Sequence, residues 1–224
     1  MGVLILLRHG ESMWNKKNVF TGWVDVPLSK GGVDEALRAG ERIKDLPIDH
    51  IFTTPLIRAS ATAMLVMSVH SSGKTPVNPH TGEGKMAEWG KIHSDKMLQE
   101  VVPVTVAWQL NERMYGALQG MNKDEMREIY GKEQVHIWRR SFDTAPPEGE
   151  SLKMTAERAI PYFKENVEPL LESGKNVLIS AHGNSLRSIV MALEGLSGDE
   201  VVKLELATGD PRIYNYSDGT YTRQ

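Results

Sequence analysis

Residues 3–11, VLILLRHGE, decide the fold, because five consecutive apolar residues run directly into an Arg-His-Gly-Glu turn. A short, continuous apolar run rich in branched side chains is typical of a strand buried on both faces, as in a parallel sheet. Residues 176–185, NVLISAHGNS, repeat the pattern with a second apolar run that leads into His-Gly. The two stretches therefore predict two buried strands, each followed by a histidine-glycine turn.

Helical patterns lie between these two strands. Residues 33–43 carry apolar side chains at helical spacing behind Ser29, which can cap the helix. Residues 50–53 predict a short strand, and Thr54-Pro55 predict the start of a helix that runs to about Val69. The first part of the chain thus alternates between strands and helices.

The second half of the chain continues this alternation. Its predicted elements are two short helices between residues 123 and 142 divided at Gly131, a longer helix over 151–173 kinked at Pro161 and ended by Gly174, a helix over 185–194, and a hairpin around 212–222 that turns at 217–219. Strands that alternate with helices predict the α/β class. We expect a three-layer α/β/α sandwich with a mainly parallel central sheet.

The length of 224 residues, with 40% hydrophobic and 25% charged residues, fits an ordinary globular protein. We expect a single catalytic domain over residues 1–224. One segment interrupts the pattern, since residues 71–102 carry four glycines and two prolines without a clear period. A long irregular segment of this kind predicts a surface insertion.

Charge and cysteine content exclude several classes of protein. Lys and Arg total 26 against 29 Asp and Glu, and the net charge of −3 disfavours a nucleic-acid-binding protein. The absence of cysteine excludes disulfides, thiolate nucleophiles and Cys-ligated zinc, and it fits a reducing compartment. The five-residue apolar run at 3–7 is shorter than a signal-peptide core or a membrane span. We expect a cytoplasmic protein with no membrane partner.

Charged residues and histidines follow the predicted strands. The carboxyl ends of parallel strands share one edge of a sheet, where ligands bind. Arg8-His9, Arg58 and His182-Gly183 all follow strands, so they are expected to meet there. Guanidinium groups and helix N-termini favour a phosphate, and an imidazole beside it can act as a nucleophile through a phosphohistidine. Arginine, histidine and helix dipoles can neutralise the transferring group, so no metal is expected.

Two stretches resemble the site of a known superfamily. Residues 7–12, LRHGES, and 181–185, AHGNS, are similar to the two halves of the histidine phosphatase site. Four further stretches resemble the cofactor-dependent phosphoglycerate mutases within that superfamily; they are 20–23 (FTGW), 110–113 (LNER), 115–120 (YGALQG) and 138–142 (WRRSF). The resemblance implies a phosphoglycerate mutase-like fold and runs from Val3 to about Pro211, with little counterpart for 71–102.

The resemblance implies a role for each matching residue. His9 corresponds to the nucleophile that 2,3-bisphosphoglycerate primes by phosphorylation, and Glu112 to the general acid/base. We expect a raised pKa for the Glu112 carboxyl, because it lies near a phosphate. The phosphoryl group is expected to contact Arg8, Arg58, His182, Gly183 and Asn15. The remaining substrate-binding residues implied are Thr21, Gly22, Tyr115, Lys123, Arg139, Arg140 and Asn184.

Three activities follow from this resemblance. The first is a mutase that interconverts 3-phosphoglycerate and 2-phosphoglycerate, and the others are a phosphatase that hydrolyses a phosphate monoester and a bisphosphoglycerate synthase/phosphatase. Glu112, Tyr115, Lys123 and the Arg139-Arg140 pair favour a substrate that carries a carboxylate as well as a phosphate. A serine hydrolase is disfavoured because Arg187 stands where a nucleophile elbow needs glycine. The expected partners are small phosphoglycerates, and a homo-oligomer is left open.

Overall fold

The computed structural model describes residues 1–79 and 82–224. Its central sheet has the strand order β3-β4-β2-β5-β1-β6-β7. The strands are β1 Gly2–Arg8, β2 His50–Thr53, β3 Thr75–Val77, β4 Val101–Val106, β5 Val177–Ala181, β6 Pro211–Ser217 and β7 Thr220–Arg223. Strands β1 to β5 pair in parallel, whereas β6 and β7 form an antiparallel hairpin beside β1.

Helices cover the sheet and fill its connections. Their bounds are α1 Met13–Lys16, α2 Lys30–Ile43, α3 Ile57–Ser68, α4 Lys85–Trp89, α5 Asp95–Gln99, α6 Lys123–Tyr130, α7 Lys132–Arg140, α8 Leu152–Asn166, α9 Glu168–Glu172, α10 Gly183–Glu194 and α11 Gly198–Val201. Short 3₁₀ helices lie at Trp108–Leu110 and Gly116–Leu118. Among the residues described, no helix combines the length and apolarity needed to cross a membrane.

The apolar run of β1 contributes side chains to two separate hydrophobic cores. Leu4 and Leu6 pack with the residues of α8 and α10, whereas Ile5 and Leu7 pack with those of α2 and α3. All four are at most 2% exposed, and burying each side chain contributes on the order of 1.5–3 kcal/mol. The continuous run is apolar because both faces of the sheet are covered, which confirms the three-layer α/β/α sandwich.

Several local predictions are confirmed. Ser29 caps α2 by accepting a hydrogen bond from the Gly32 amide at 3.1 Å. Gly131, with φ of 84°, separates α6 from α7. The last hairpin turns at Asp218 and Gly219, both with positive φ, as a two-residue turn that follows the sheet twist requires.

The helix that carries Arg58 starts later than predicted. Thr54 and Pro55 lie outside it, and α3 begins at Ile57. The Thr54 hydroxyl lies 2.9 Å from His182 Nε2, while the carboxylate of Asp25, from a distant loop, accepts the Ile57 amide at 2.6 Å. A capping group from elsewhere in the fold replaces the local one that the sequence predicted.

The long helix predicted over 151–173 is two helices. The division falls at Val167, between α8 and α9, and Pro161, where a kink is predicted, lies inside α8. Pro169 in the first turn of α9 explains the position, because proline is favoured where a helix starts and its amide has no hydrogen to donate.

The segment 71–102 contains regular structure that the sequence did not predict. It holds β3, α4 and α5 and leads into β4, which lies between β3 and β2 with Val102 and Val104 buried. β4 was not predicted because it contains Pro103, and proline argues against a strand interior. Residues 80 and 81 of the predicted insertion lie outside the described part of the chain, and residues 82–100 are almost all exposed.

Candidate active site

Parallel pairing of β1 with β5 brings the two histidine turns together. Arg8 pairs in register with Ala181, and the His9 amide donates to the Ala181 carbonyl at 3.0 Å. His182 follows directly, so the ring centroids of His9 and His182 lie 5.0 Å apart. The expectation that the strand ends place these residues together is confirmed.

The protonation state of His9 follows from its surroundings. Its Nδ1 lies 2.7 Å from the Gly10 carbonyl oxygen, which can only accept, so Nδ1 carries the proton and Nε2 keeps a lone pair. Burial, Arg58 and Arg8 lower the pKa of His9 to about 3. The ring is therefore neutral at neutral pH, and a neutral imidazole with a free nitrogen can act as a nucleophile.

Arg58 connects the pocket to the loop over residues 21–24. Only 1% of the residue is exposed, and its guanidinium donates to the carbonyl oxygens of Gly22 at 2.7 Å and Val24 at 3.0 Å. This loop carries Thr21, whose buried hydroxyl has no partner among the described residues. Arg58 thus fixes the loop and adds positive charge near His9.

Several buried polar atoms have no hydrogen-bond partner among the described residues, and two of them belong to the histidine turns. These two are Nε of Arg8 and Nδ1 of His182. Burial and the positive charge of Arg58 hold the pKa of His182 well below its usual range. Buried polar atoms normally have partners, so these two atoms mark a place that an anion such as a phosphoryl group fits.

Glu112 lies in the same pocket, and one of its carboxylate oxygens accepts three hydrogen bonds. Its Oε1 accepts from the Arg113 amide at 2.8 Å and from the amide and side chain of Asn184 at 3.1 and 2.9 Å. Burial raises the pKa of Glu112, but the Arg113 amide, Arg8, Asn184 and Arg58 together outweigh burial and leave the pKa below its ordinary value. The expected raised pKa is therefore wrong for the protein groups alone, and the carboxylate is ionised at neutral pH.

The other predicted binding residues surround the same pocket. Asn15 uses its carbonyl oxygen to accept two bonds from Ser12, which leaves its NH₂ group for the pocket. Burial and the nearby Arg139 lower the pKa of Lys123. The predicted residues that line the pocket are Arg8, His9, Asn15, Thr21, Gly22, Arg58, Glu112, Tyr115, Lys123, Arg139, Arg140, Gly183 and Asn184. His182 is fully buried against His9.

Two charged residues that line the pocket were not predicted. Arg187 lies three residues after Asn184 on α10, and helical spacing could have identified it as sharing a face with Asn184. Glu205 comes from the irregular stretch before β6, where no periodic pattern points to it.

Arg158 holds the backbone that carries Glu112. Its guanidinium donates to the carbonyl oxygens of Gln109, Asn111 and Glu112 at 2.7 to 3.0 Å and pairs with Glu150 at 2.8 Å. Its distance in sequence from Glu112 explains why the sequence did not predict this contact.

The donor atoms of His9, Glu112 and His182 lie within 4.8 Å of one another, a spacing that could hold a metal ion. The guanidinium groups of Arg8 and Arg58 act on the same atoms and lower the pKa of both histidines. Two such positive charges oppose a metal cation and favour an anion.

Comparisons with known proteins identify the family of this chain. The family model described as the histidine phosphatase superfamily (branch 1) matches residues 4–101 and 93–223. The 2,3-bisphosphoglycerate-dependent phosphoglycerate mutase of Protochlamydia amoebophila is 62% identical over 221 residues, which cover 99% of this chain and 98% of that protein. The enzyme of the same name from Chlamydia muridarum is 54% identical, with 100% and 97% covered.

Solved structures support the fold. YhfR of Bacillus stearothermophilus matches 100% of this chain and 95% of its own, with a TM-score of 0.77 and 24% identity. A mycobacterial glucosyl-3-phosphoglycerate phosphatase in complex with VO3 matches 99% and 96%, with a TM-score of 0.75 and 22% identity. The chain therefore belongs to the histidine phosphatase superfamily, and within it to the family of 2,3-bisphosphoglycerate-dependent phosphoglycerate mutases.

Proposed function

We propose that this protein interconverts 3-phosphoglycerate and 2-phosphoglycerate through a phosphorylated His9. One observation carries the proposal. A neutral, buried imidazole with a free Nε2 shares a pocket with an ionised Glu112 and with the guanidinium groups of Arg8 and Arg58. This combination supplies a nucleophile, a proton acceptor and a cationic cradle in one place.

When bound, 2,3-bisphosphoglycerate supplies the phosphoryl group that phosphorylates His9. His9 Nε2 would accept this phosphoryl group as the phosphorus–oxygen ester bond of the cofactor breaks and a monophosphoglycerate leaves, while Arg8, Arg58 and the Gly183 amide at the start of α10 would hold the phosphoryl oxygens. His182 adds its unpartnered Nδ1 to this cradle. Since Gly183 has no side chain, Arg8 can approach it, and a Cβ there would lie 3.4 Å from Arg8 Nε.

Glu112 moves the proton in the second half of the reaction. It accepts the proton of the substrate hydroxyl as that oxygen takes the phosphoryl group from His9, and it returns a proton when the other phosphate is transferred back. The bonds to Oε1 fix the carboxylate and leave Oε2 on the side of Gly183. A phosphoryl group between Arg8 and Arg58 offsets their charge, so it raises the pKa of Glu112 towards the value that proton return needs.

Further cations in the pocket support a substrate with a carboxylate. Lys123, Arg139 and Arg140 line the pocket in addition to Arg8 and Arg58. A substrate that is anionic at both ends needs positive charge at both ends of its site. A phosphatase of simple monoesters needs only the cradle around His9.

We further propose that catalysis needs no metal, because Arg8, Arg58 and the start of α10 can offset the charge that develops on the phosphoryl oxygens. Three expectations stay predictions: a cytoplasmic location, a single domain over residues 1–224 with a surface insertion at 71–102, and the absence of nucleic-acid and membrane partners. A homo-oligomer stays open.

The decisive experiment supplies purified protein with 3-phosphoglycerate and catalytic 2,3-bisphosphoglycerate in the presence of a chelator. The 2-phosphoglycerate formed is measured with enolase in a separate step, and phosphate release is measured in parallel. We expect 2-phosphoglycerate to form only when 2,3-bisphosphoglycerate is present. Rapid phosphate release without 2-phosphoglycerate would show a phosphatase, and activity lost in chelator would contradict metal-free catalysis.

A further inference from the structure

One acidic side chain lies on the cationic side of the pocket. Glu205 pairs through Oε1 with Arg140 Nη2 at 2.7 Å and through Oε2 with Arg187 Nη2 at 3.3 Å. Arg140 ends α7 and Arg187 lies on α10, so the carboxylate joins two elements that both line the pocket. A carboxylate in a site built for anions occupies cations that a substrate could otherwise use.

The backbone next to Glu205 is fixed, whereas its side chain is not buried. Arg8 donates through Nη1 to the Leu206 carbonyl at 2.8 Å, and its own carbonyl accepts the Gly209 amide at 3.0 Å. The Glu205 side chain is 65% exposed. The carboxylate can therefore move into solvent without disturbing the main chain beside His9.

Arg187 is better placed than Arg140 to receive a new anion. Its side chain is 10% exposed, and its Nε is buried with no partner among the described residues. Its Nη1 lies 3.5 Å from the carbonyl oxygen of Asn184, the residue whose side chain donates to Glu112. An anion held by Arg187 would thus lie beside the residue that positions the general acid/base.

We propose that Glu205 is a resident counter-anion, which occupies Arg140 and Arg187 and is displaced by the carboxylate of phosphoglycerate. This inference rests on the proposed function for its substrate. Binding then exchanges one carboxylate for another, which limits how tightly the cationic pocket holds an anionic substrate or product. Glu205 accordingly sets the affinity for the substrate and the ease of product release.

The proposal predicts the sign of an effect. If Glu205 competes with the substrate, Glu205→Gln tightens the binding of 3-phosphoglycerate and lowers KM. If Glu205 only holds Arg140 and Arg187 in place, the same substitution weakens binding. Half-exposed ion pairs are weak, so we expect the dissociation constant of Glu205→Gln to fall by about two- to fivefold.

The experiment is titration calorimetry of wild-type protein and Glu205→Gln with 3-phosphoglycerate, repeated at low and high salt. Glu157→Gln is the matched control, because it makes the same charge change on the exposed face of α8 and does not line the pocket. We expect tighter binding only for Glu205→Gln, with a gain that shrinks at high salt. The Glu205→Gln substitution should lower the dissociation constant of inorganic phosphate, which lacks a carboxylate, less than that of 3-phosphoglycerate.

Unchanged or weaker binding of 3-phosphoglycerate by Glu205→Gln overturns the proposal, as does an equal gain in Glu157→Gln. The binding measurement does not require turnover, so it is separate from the test of the mutase reaction. Tighter binding in a protein that forms no 2-phosphoglycerate would support the role of Glu205 and reject the proposed function. Weaker binding by Glu205→Gln in a protein that does form 2-phosphoglycerate would reject the role of Glu205 and support the proposed function.

Discussion

At the scale of single residues, the reactivity of His9 depends on charges that favour different states of the ring. Arg58 and Arg8 add to burial in lowering its pKa to about 3, which keeps the imidazole unprotonated. The same two cations favour the ring once it carries a negative phosphoryl group. A single arrangement therefore keeps the free nucleophile neutral and stabilises its charged product.

The direct test of this residue is His9→Ala. We expect the substitution to abolish phosphoenzyme formation and to reduce turnover by at least about three orders of magnitude, because the covalent route is lost. Labelling with phosphoryl-labelled 2,3-bisphosphoglycerate measures the phosphoenzyme as acid-labile label. His93→Ala, at an exposed position in the 71–102 segment, is the control. Acid-labile label that persists in His9→Ala would contradict the assignment.

The neutral histidines also affect stability. Histidine side chains in the unfolded chain take up protons below a pKa of about 6.5, whereas folded His9 stays neutral down to about 3 and the pKa of His182 is also well lowered. The unfolded state thus binds more protons in this window, so the free energy of unfolding falls as pH falls through it. The slope is at most about 1.4 kcal/mol per pH unit for each histidine.

Urea unfolding between about pH 7 and pH 5 measures this slope. We expect the free energy of unfolding to decrease towards pH 5 in the wild-type protein and to decrease less in His9→Gln, which removes one of the two groups. An identical slope in both proteins would mean that the pKa of folded His9 is not lowered.

At the scale of elements, the turn after β1 passes so close to the start of α2 that two glycines are required. A Cβ on Gly32 would lie well inside 3.0 Å of the Glu11 carbonyl oxygen, and one on Gly10 would meet Gly32 in the same way. The Gly10 amide also donates to Thr62 on α3 at 3.2 Å. The position of His9 therefore depends on how β1, α2 and α3 pack.

Two adjacent glycines of α2 provide a matched test of this packing. Gly32→Ala should destabilise the protein by about 1–3 kcal/mol, because backbone atoms must shift. Gly31→Ala should stabilise it by up to about 1 kcal/mol, since its Cβ meets only ordinary contacts at 3.6 Å or more and alanine favours the helix. Thermal or urea unfolding measures both. Equal effects of the two substitutions would contradict the proposed close contact.

The elements also show where sequence patterns suffice. Strands β1 and β5 are predictable because a strand buried on both faces must be apolar throughout. The start of α3 is not, because its capping group is Asp25 from another loop, and β4 is concealed by Pro103. Most of the site residues were predicted through the resemblance, whereas Glu205 and Arg158 act through contacts that only the folded chain brings together.

At the scale of the whole molecule, net charge and local charge have opposite signs. The chain carries −3 overall, yet the described residues that line its pocket include the cations Arg8, Arg58, Lys123, Arg139, Arg140 and Arg187 and the two acids Glu112 and Glu205. Composition alone disfavours a nucleic-acid-binding surface and could not reveal this pocket. The sheet concentrates positive charge because it gathers strand ends and helix starts at one edge.

Local charge should govern the capture of substrate. Since a cationic cleft attracts an anion and salt screens that attraction, kcat/KM for 3-phosphoglycerate should fall as salt rises from about 0.02 to 0.2 M, despite the negative net charge. Arg140→Gln should lower kcat/KM and reduce its salt dependence, because it removes a pocket cation. Lys175→Gln makes the same charge change just before β5, at the opposite end of that strand from His182, and should leave both unchanged. Stopped assays of initial rate at several salt concentrations measure all three proteins. If kcat/KM stays constant or rises with salt, or if Lys175→Gln matches Arg140→Gln, capture depends on net charge or on contacts alone, and not on the field of the pocket.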